Sequence, residues 1–339
     1  VTPPSADTER RLSPAHQAWL AENLLRGSPA DALVPLLVGQ GVPEALARAE
    51  AQAMLQSPVF VGARRVLREG RQHTQVVGLQ RAVAREACPA PVVERRPLPS
   101  ADEFFARYYG PGLPAVFEGA AADWPAVGKW TPDWFAEHYG AVEIEYVAGR
   151  EADPLYDRHT PQLSRTGRLD AYLALLEAAG ETNDLYFVAN NHNLERPAFD
   201  ALWDDLRYPE GILSPTRRQK TASLWIGPAG TVTPLHHDTC NVFFVQIHGR
   251  KRFHFAPPTE TDLLADAQAM YAGADPEHPE RTPHVSVPYA RADVGPGDVL
   301  FIPVGWWHHV RALDTSISVA LAGFTRPNWF DWYRPGSVK

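Results

Sequence analysis

TPLHHDTCNVFFVQIHGRKRFHFAPP (233–258) is the stretch that decides the fold. It holds an apolar run, NVFFVQIHG, a turn at Gly249, and the alternating run KRFHFAPP. On a strand Lys251, Phe253 and Phe255 share one face, because successive side chains point to opposite sides. The same texture extends outward on both sides. LYFVAN and SLWIG lie upstream, GDVLFIPVG and SISVALAGF downstream, each bounded by Gly, Pro or polar turns. Many short β-prone runs joined by turns predict a closed or double-layer antiparallel architecture, not alternating βαβ units. A closed sheet has a lumen into which every second side chain points, and that lumen is a natural place for a small cofactor.

Upstream of Leu185 the pattern is different. Residues 13–88 read as helical: Ser13-Pro14 and Ser28-Pro29 each set a cap residue before a proline suited to a first helical turn, and Asp31 extends the second into a capping-box variant. Leu20, Leu24 and Leu25, then Leu33, Leu36 and Leu37, follow at helical spacing. GQGVP at 39–43 breaks the second helix and PEALARAEAQAML opens a third. CPAPVVERRPLPS at 88–100 is a proline-rich connection, after which Ser100 and Glu103 repeat the capping pattern. LPAVFEG (113–119) and VEIEYVA (142–148) read as strands, with a helix begun by Thr131-Pro132-Asp133 between them. The expected organisation is a helical accessory module over 1–88, offering a surface for a partner or a homodimer, and a β-rich domain over 89–339. The closing NWFDWY (328–333) would cover one barrel end or make a dimer contact.

Composition narrows the function classes. The 339 residues are 45% hydrophobic and 21% charged, and the 32 prolines are scattered among apolar runs, so the chain folds and is not disordered. A formal net charge of −8 argues against a nucleic-acid partner, which usually demands a basic face. Cys88 and Cys240 stand far apart in no CxxC arrangement, which speaks against a disulfide framework or thiolate metal site and for a reducing cytoplasm. VTPPSADTER contains no apolar signal core and no run reaches eighteen apolar residues, so no membrane association is expected.

Within TVTPLHHDTCN (231–241), His236 and Asp238 are two residues apart and point to the same side of an extended segment. Imidazole with carboxylate suits a borderline divalent metal such as iron(II). His308, from IPVGWWHHV, supplies a third donor if its strand faces the same lumen. Two histidines and a carboxylate would occupy one face of the ion and leave the rest open for a chelating co-substrate and dioxygen. Thirteen histidines make a bare HxD a frequent accident, and zinc or manganese fits the same donors. His237 and His309 should face away from their neighbours. The aromatic residues Trp225, Phe243, Phe244, Phe301, Trp306 and Trp307 read first as barrel packing, and Trp124, Trp130 and Trp134 as braces for the preceding helices.

Taken together, 233–258 and PGDVLFIPVGWWHHV (296–310) closely resemble the JmjC family of 2-oxoglutarate oxygenases, most of all its bacterial members and its asparaginyl-hydroxylase-like branch. The likeness runs from about residue 91 to about 330 and includes the PAVFEG…DWPA…W texture of 104–140. It implies a double-stranded β-helix (jelly roll, cupin type) with helical additions, and an iron(II) site at His236, Asp238 and His308. It further implies that Lys251 binds the far carboxylate of 2-oxoglutarate, that Thr233 donates a hydroxyl to it, and that Tyr186, with Tyr146 as the alternative, completes the anchor. Asn241 falls where the family often has an asparagine near the metal, although Val242 holds the position that usually carries it. ISVALAGF offers Ser318 and Gly323 where relatives often place a polar co-substrate contact. The implied activity is hydroxylation of a C–H bond, on a protein or peptide side chain, with release of succinate and carbon dioxide. The same site could act on a small molecule or remove an N-methyl group. A non-catalytic cupin-like binding protein is the reading from another class, and Val242 and Gly323 lean toward it.

Overall fold

In the computed structural model of the chain, residues 11–187, 193–216, 221–265, 270–282 and 286–328 are described, and the chain divides into two compact units, 1–80 and 81–339. The first unit is helical: α1 (Pro14–Arg26), α2 (Ala30–Gly39), α3 (Glu44–Gln56) and the start of α4 (Pro58–Ala87). Ser13 caps α1 as expected, its hydroxyl accepting from the backbone N–H of His16. Ser28 does not cap α2. Gly27, at φ 103°, ends α1 in the left-handed conformation, and the Ser28 N–H reaches back to Asn23 O at 3.0 Å. The residue is thus consumed by the C-terminal motif of α1, and Pro29 precedes α2 with no side-chain cap. Leu20, Leu24, Leu33, Val34, Leu37 and Phe60 form a core of its own.

The second unit carries thirteen described strands: β1 (Glu94–Arg96), β2 (Ala115–Phe117), β3 (Glu143–Ala148), β4 (Ser164–Arg168), β5 (Leu185–Tyr186), β6 (Ala222–Gly227), β7 (Val232–His236), β8 (Val242–His248), β9 (Lys251–Ala256), β10 (Ala290–Val294), β11 (Val299–Ile302), β12 (Trp307–Ala312) and β13 (Ser316–Leu321). A six-stranded sheet runs β1-β2-β11-β8-β13-β6, a four-stranded sheet runs β10-β9-β12-β7, and β4-β3-β5 form a small third sheet. Apart from β1 with β2, the pairings are antiparallel. The fold is the jelly roll with helical additions that the β-run texture and the resemblance predicted.

Strand β8 shows how the layers are assembled. All but His248 of VFFVQIH is buried, because both faces of the six-stranded sheet are covered. Val242 and Phe244 face the four-stranded sheet and pack with Phe253, Phe255, Leu300, Ile302 and Val310. Phe243, Val245 and Ile247 face the other way, onto Phe104, Phe117, Phe301 and Phe324 and the helices that carry Trp130 and Phe135. Trp130 is fully buried and its indole N–H donates to Asp205 Oδ2 at 2.8 Å, the bracing role expected of it. The hairpin joining β8 to β9 turns at Gly249, φ 68°, where a Cβ would lie 2.2 Å from Thr315 O. Of NWFDWY only Asn328 lies inside the described residues, as do only Leu185 to Phe187 of LYFVANN.

Candidate metal centre

Strands β7 and β12 pair antiparallel, and the register sets His236 opposite His308. Between His308 and Val310 the register shifts by one residue, a bulge beside Pro234, which has no N–H to give a ladder. The two rings lie 4.2 Å apart. His236 Nδ1 meets Pro234 O at 2.8 Å and His308 Nδ1 meets Trp306 O at 2.9 Å. A carbonyl only accepts, so each Nδ1 is assigned the proton and each Nε2 keeps its lone pair for an ion. Asp238 follows β7 in a loop whose carbonyl accepts from Gly305 N at 3.0 Å. Its carboxylate lies 4.0 Å from His236 Nε2 and 3.7 Å from His308 Nε2. The three donor atoms stand within 4.8 Å of one another, the one such cluster among the described residues. Burial, then the neighbouring His236, pushes the His308 pKa down to about 4, so the ring is in the neutral form that a metal requires.

These side chains line a cavity of about 400 Å³. At one end stands Lys251, 1% exposed, its ammonium donating to the Tyr186 hydroxyl at 3.2 Å. Burial pushes the Lys251 pKa down to about 7, and among the described residues no carboxylate pairs with it. Thr233 bonds to Tyr186, so lysine, tyrosine and threonine form one donor cluster on the cavity wall. Phe253 lines the cavity beside them and the Phe255 ring lies 6.1 Å from that of His308, as the alternation from Lys251 predicted. A buried cation with no anion beside it, near donors able to hold a divalent ion, fits a small dicarboxylate that also chelates.

The other expected residues fall as follows. Tyr146 stacks on Tyr172 at 5.0 Å, away from the cavity wall, leaving Tyr186 at the anchor. Asn241 does not line the cavity: its N–H groups donate to Asn328 Oδ1 and its own Oδ1 accepts from Val304 N, so its amide clamps two loops. Val242 lines the cavity in its place. Ser318 turns to Gln246 Oε1 at 2.9 Å, and β13 and the residues after it give the cavity only Ala320 and Ala322. His237 packs edge-on against Trp307, and His309 faces Asp275 on the far side of the sheet, both turned from the triad as alternation requires. Trp225 and Phe244, read as packing, are packed on each other and also form cavity wall. Cys240 lines it too, its thiol pushed up to about 12 by burial and so held inert.

Sequence reasoning missed a polar group around Asp157, which lines the cavity and whose carboxyl is pushed up to about 6 by burial, against the pull of Arg150 and His236. Tyr271, whose ring stacks on His236 at 5.8 Å, was missed as well. GREADPLYD (149–157) is a polar run after a strand, which an ordinary surface loop explains equally.

A cupin-like domain profile matches residues 101–324. Lysine-specific demethylase 8 of Xenopus tropicalis is 30% identical over 232 residues, 66% of this chain and 50% of that protein. Lysine-specific demethylase JMJ30 of Arabidopsis thaliana is 29% identical over 239 residues, 67% of this chain and 54% of its own length. HSPB1-associated protein 1 homolog of Danio rerio is 29% identical over 241 residues, 59% of this chain and 49% of its own. The chain spans about half the length of these curated relatives. With a profile covering more than half of its residues and a jelly roll that presents two histidines and an aspartate to one cavity, the chain belongs to the cupin-like domain family of JmjC type.

Proposed function

We propose that the protein is an iron(II)- and 2-oxoglutarate-dependent oxygenase that hydroxylates a C–H bond on a protein or peptide side chain. The observation that carries this reading is one cavity with two complementary features: a His236–Asp238–His308 donor set and a buried Lys251 ammonium lacking an anion. A keto diacid that chelates an ion through one end and meets the ammonium with the other satisfies both. When bound, iron(II) and 2-oxoglutarate supply dioxygen activation and oxygen insertion, with succinate and carbon dioxide released.

The chain's own work is binding, orientation and exclusion of water. Carbonyls of Pro234 and Trp306 fix both imidazoles with Nε2 toward the ion, and Asp238 supplies the single negative charge of the donor set. Lys251, Tyr186 and Thr233 would orient the far carboxylate of the co-substrate. Trp225, Val242, Phe244 and Phe253 line the same cavity with apolar surface, which strengthens every charged contact inside it. Asp157, Thr160 and Tyr271 add polar wall for a substrate side chain.

Two relatives carry the name lysine-specific demethylase, which favours a protein substrate and supports removal of an N-methyl group as the second reading. The helical unit is then the element for a partner or a second copy, and the isolated cysteines suit a cytoplasmic enzyme. Among the described residues no helix is long and apolar enough to cross a membrane. Succinate formation from 2-oxoglutarate with added iron(II), over peptide and metabolite panels, tests the proposal, and formaldehyde release distinguishes demethylation. Failure of every panel to stimulate succinate formation above a metal-free blank would leave a binding protein.

A further inference from the structure

Arg150 is 1% exposed, among the largest side chains in the protein to be so buried, and it lies outside the cavity wall. It follows β3 in a short 3₁₀ turn entered through Gly149, φ 86°. Its Nη1 donates to Asn183 Oδ1 at 3.0 Å and its Nη2 to Val232 O at 2.7 Å. Asn183 Oδ1 in turn accepts from Val232 N at 2.8 Å. Arginine and asparagine thus grip both backbone groups of the residue that precedes Thr233. The guanidinium also lies over two rings, Tyr156 at 4.3 Å and Tyr186 at 5.1 Å. Asp157 Oδ1, 3.7 Å away, balances its charge.

We propose that Arg150 is a positioning residue for the co-substrate end of the cavity, fixing Tyr186 and Thr233 so that their hydroxyls and the Lys251 ammonium converge on one carboxylate. This rests on the 2-oxoglutarate reading given above. The physical case is one of cost. Taking a guanidinium out of water is expensive, and an apolar side chain would fill the same space at less expense. What an apolar chain could not do is hold a strand by its carbonyl and press flat on a tyrosine ring at once, which the planar fork of arginine does. Two of the three anchor groups are held by Arg150 directly or through a neighbouring residue, and the third bonds to Tyr186.

The test uses the full chain under argon with manganese(II), so that binding is read without turnover. 2-Oxoglutarate affinity is followed by quenching of tryptophan fluorescence, Trp225 being part of the cavity wall, and manganese affinity by its paramagnetic resonance signal. Arg150→Met keeps the bulk and removes the fork; 2-oxoglutarate should bind at least ~10-fold more weakly, the scale of outer-shell losses, with manganese affinity unchanged. Arg150→Lys keeps the charge without the fork or the stack and should fall between wild type and Arg150→Met. If Arg150→Met fails to fold, Arg150→Lys decides alone, by a several-fold loss confined to 2-oxoglutarate. A folded variant with wild-type 2-oxoglutarate affinity overturns the assignment, as does parallel loss of manganese and 2-oxoglutarate. Wild-type protein that binds manganese but no 2-oxoglutarate overturns the co-substrate reading itself, and this inference with it.

Discussion

Replacing Lys251 by methionine is expected to stabilise the protein and blind it to its co-substrate in one step. The ammonium is 1% exposed and the Tyr186 hydroxyl is its hydrogen-bond partner. Burial carries its pKa from 10.5 to about 7. At about 1.4 kcal/mol per pKa unit, that displacement withholds about 4 kcal/mol from folding at pH 7. Methionine has similar reach and no charge, and it forfeits one hydrogen bond worth about 1 kcal/mol, so a net gain of about 2–3 kcal/mol is expected at pH 7. The sign with pH follows from proton counting. Between pH 7 and 10.5 the unfolded chain holds more protons on this residue than the folded one. The wild type therefore recovers stability as pH climbs through that window, and the advantage of Lys251→Met shrinks with it. Urea unfolding at pH 7 and at pH 10 measures both differences, and titration with 2-oxoglutarate measures the lost affinity. A methionine variant less stable than wild type at pH 7, or an advantage that does not change with pH, would refute the reasoning.

Three further outcomes are expected. Asp238→Ala should weaken divalent-metal binding by more than the ~100-fold seen for outer-shell losses, because it removes the one anionic donor, and manganese titration reads this directly. Arg85→Ala should cost about 3–5 kcal/mol in urea unfolding, since it strands Glu260, 1% exposed and held by the Arg85 guanidinium at 2.7 and 3.0 Å. Gly249→Ala should cost about 1–3 kcal/mol from the left-handed backbone alone, with more from the approach to Thr315 O, and its melting midpoint should fall accordingly.

The sequence was most informative where one local rule governs the chain. HxD spacing brought His236 and Asp238 to one side, although Asp238 lies in a loop after β7 and not on the strand itself. Alternation from Lys251 through Phe253 named the inward face of β9, because that strand keeps an intermediate exposure on its other side. In β8 the same rule had nothing to work on: both faces are covered, every side chain through Ile247 is apolar or buried, and Phe243 cannot be told from Phe244. His308 is 72 positions beyond His236, and only the resemblance linked them; their pairing is a property of the ladder between β7 and β12. Ser28 carried a valid helix-start signal that lost to the ending of the helix before it. Arg150 and Asp157 were invisible because their meaning lies in partners from three other segments, at residues 183, 186 and 232.

The pairing of His236 with His308 across two hydrogen-bonded strands also bears on how the protein ages. Both imidazoles are locked by carbonyls of their own strands or lead-in turns, and Asp238 is tethered through Gly305 to the turn that precedes His308. The coordination geometry is therefore assembled by the polypeptide before any ion arrives. Iron in such a site is a passenger and not a pillar, unlike the metal of small modules that unravel when it leaves. Oxidation or chelation of the ion would silence the molecule without unfolding it, and fresh iron could restart it in place.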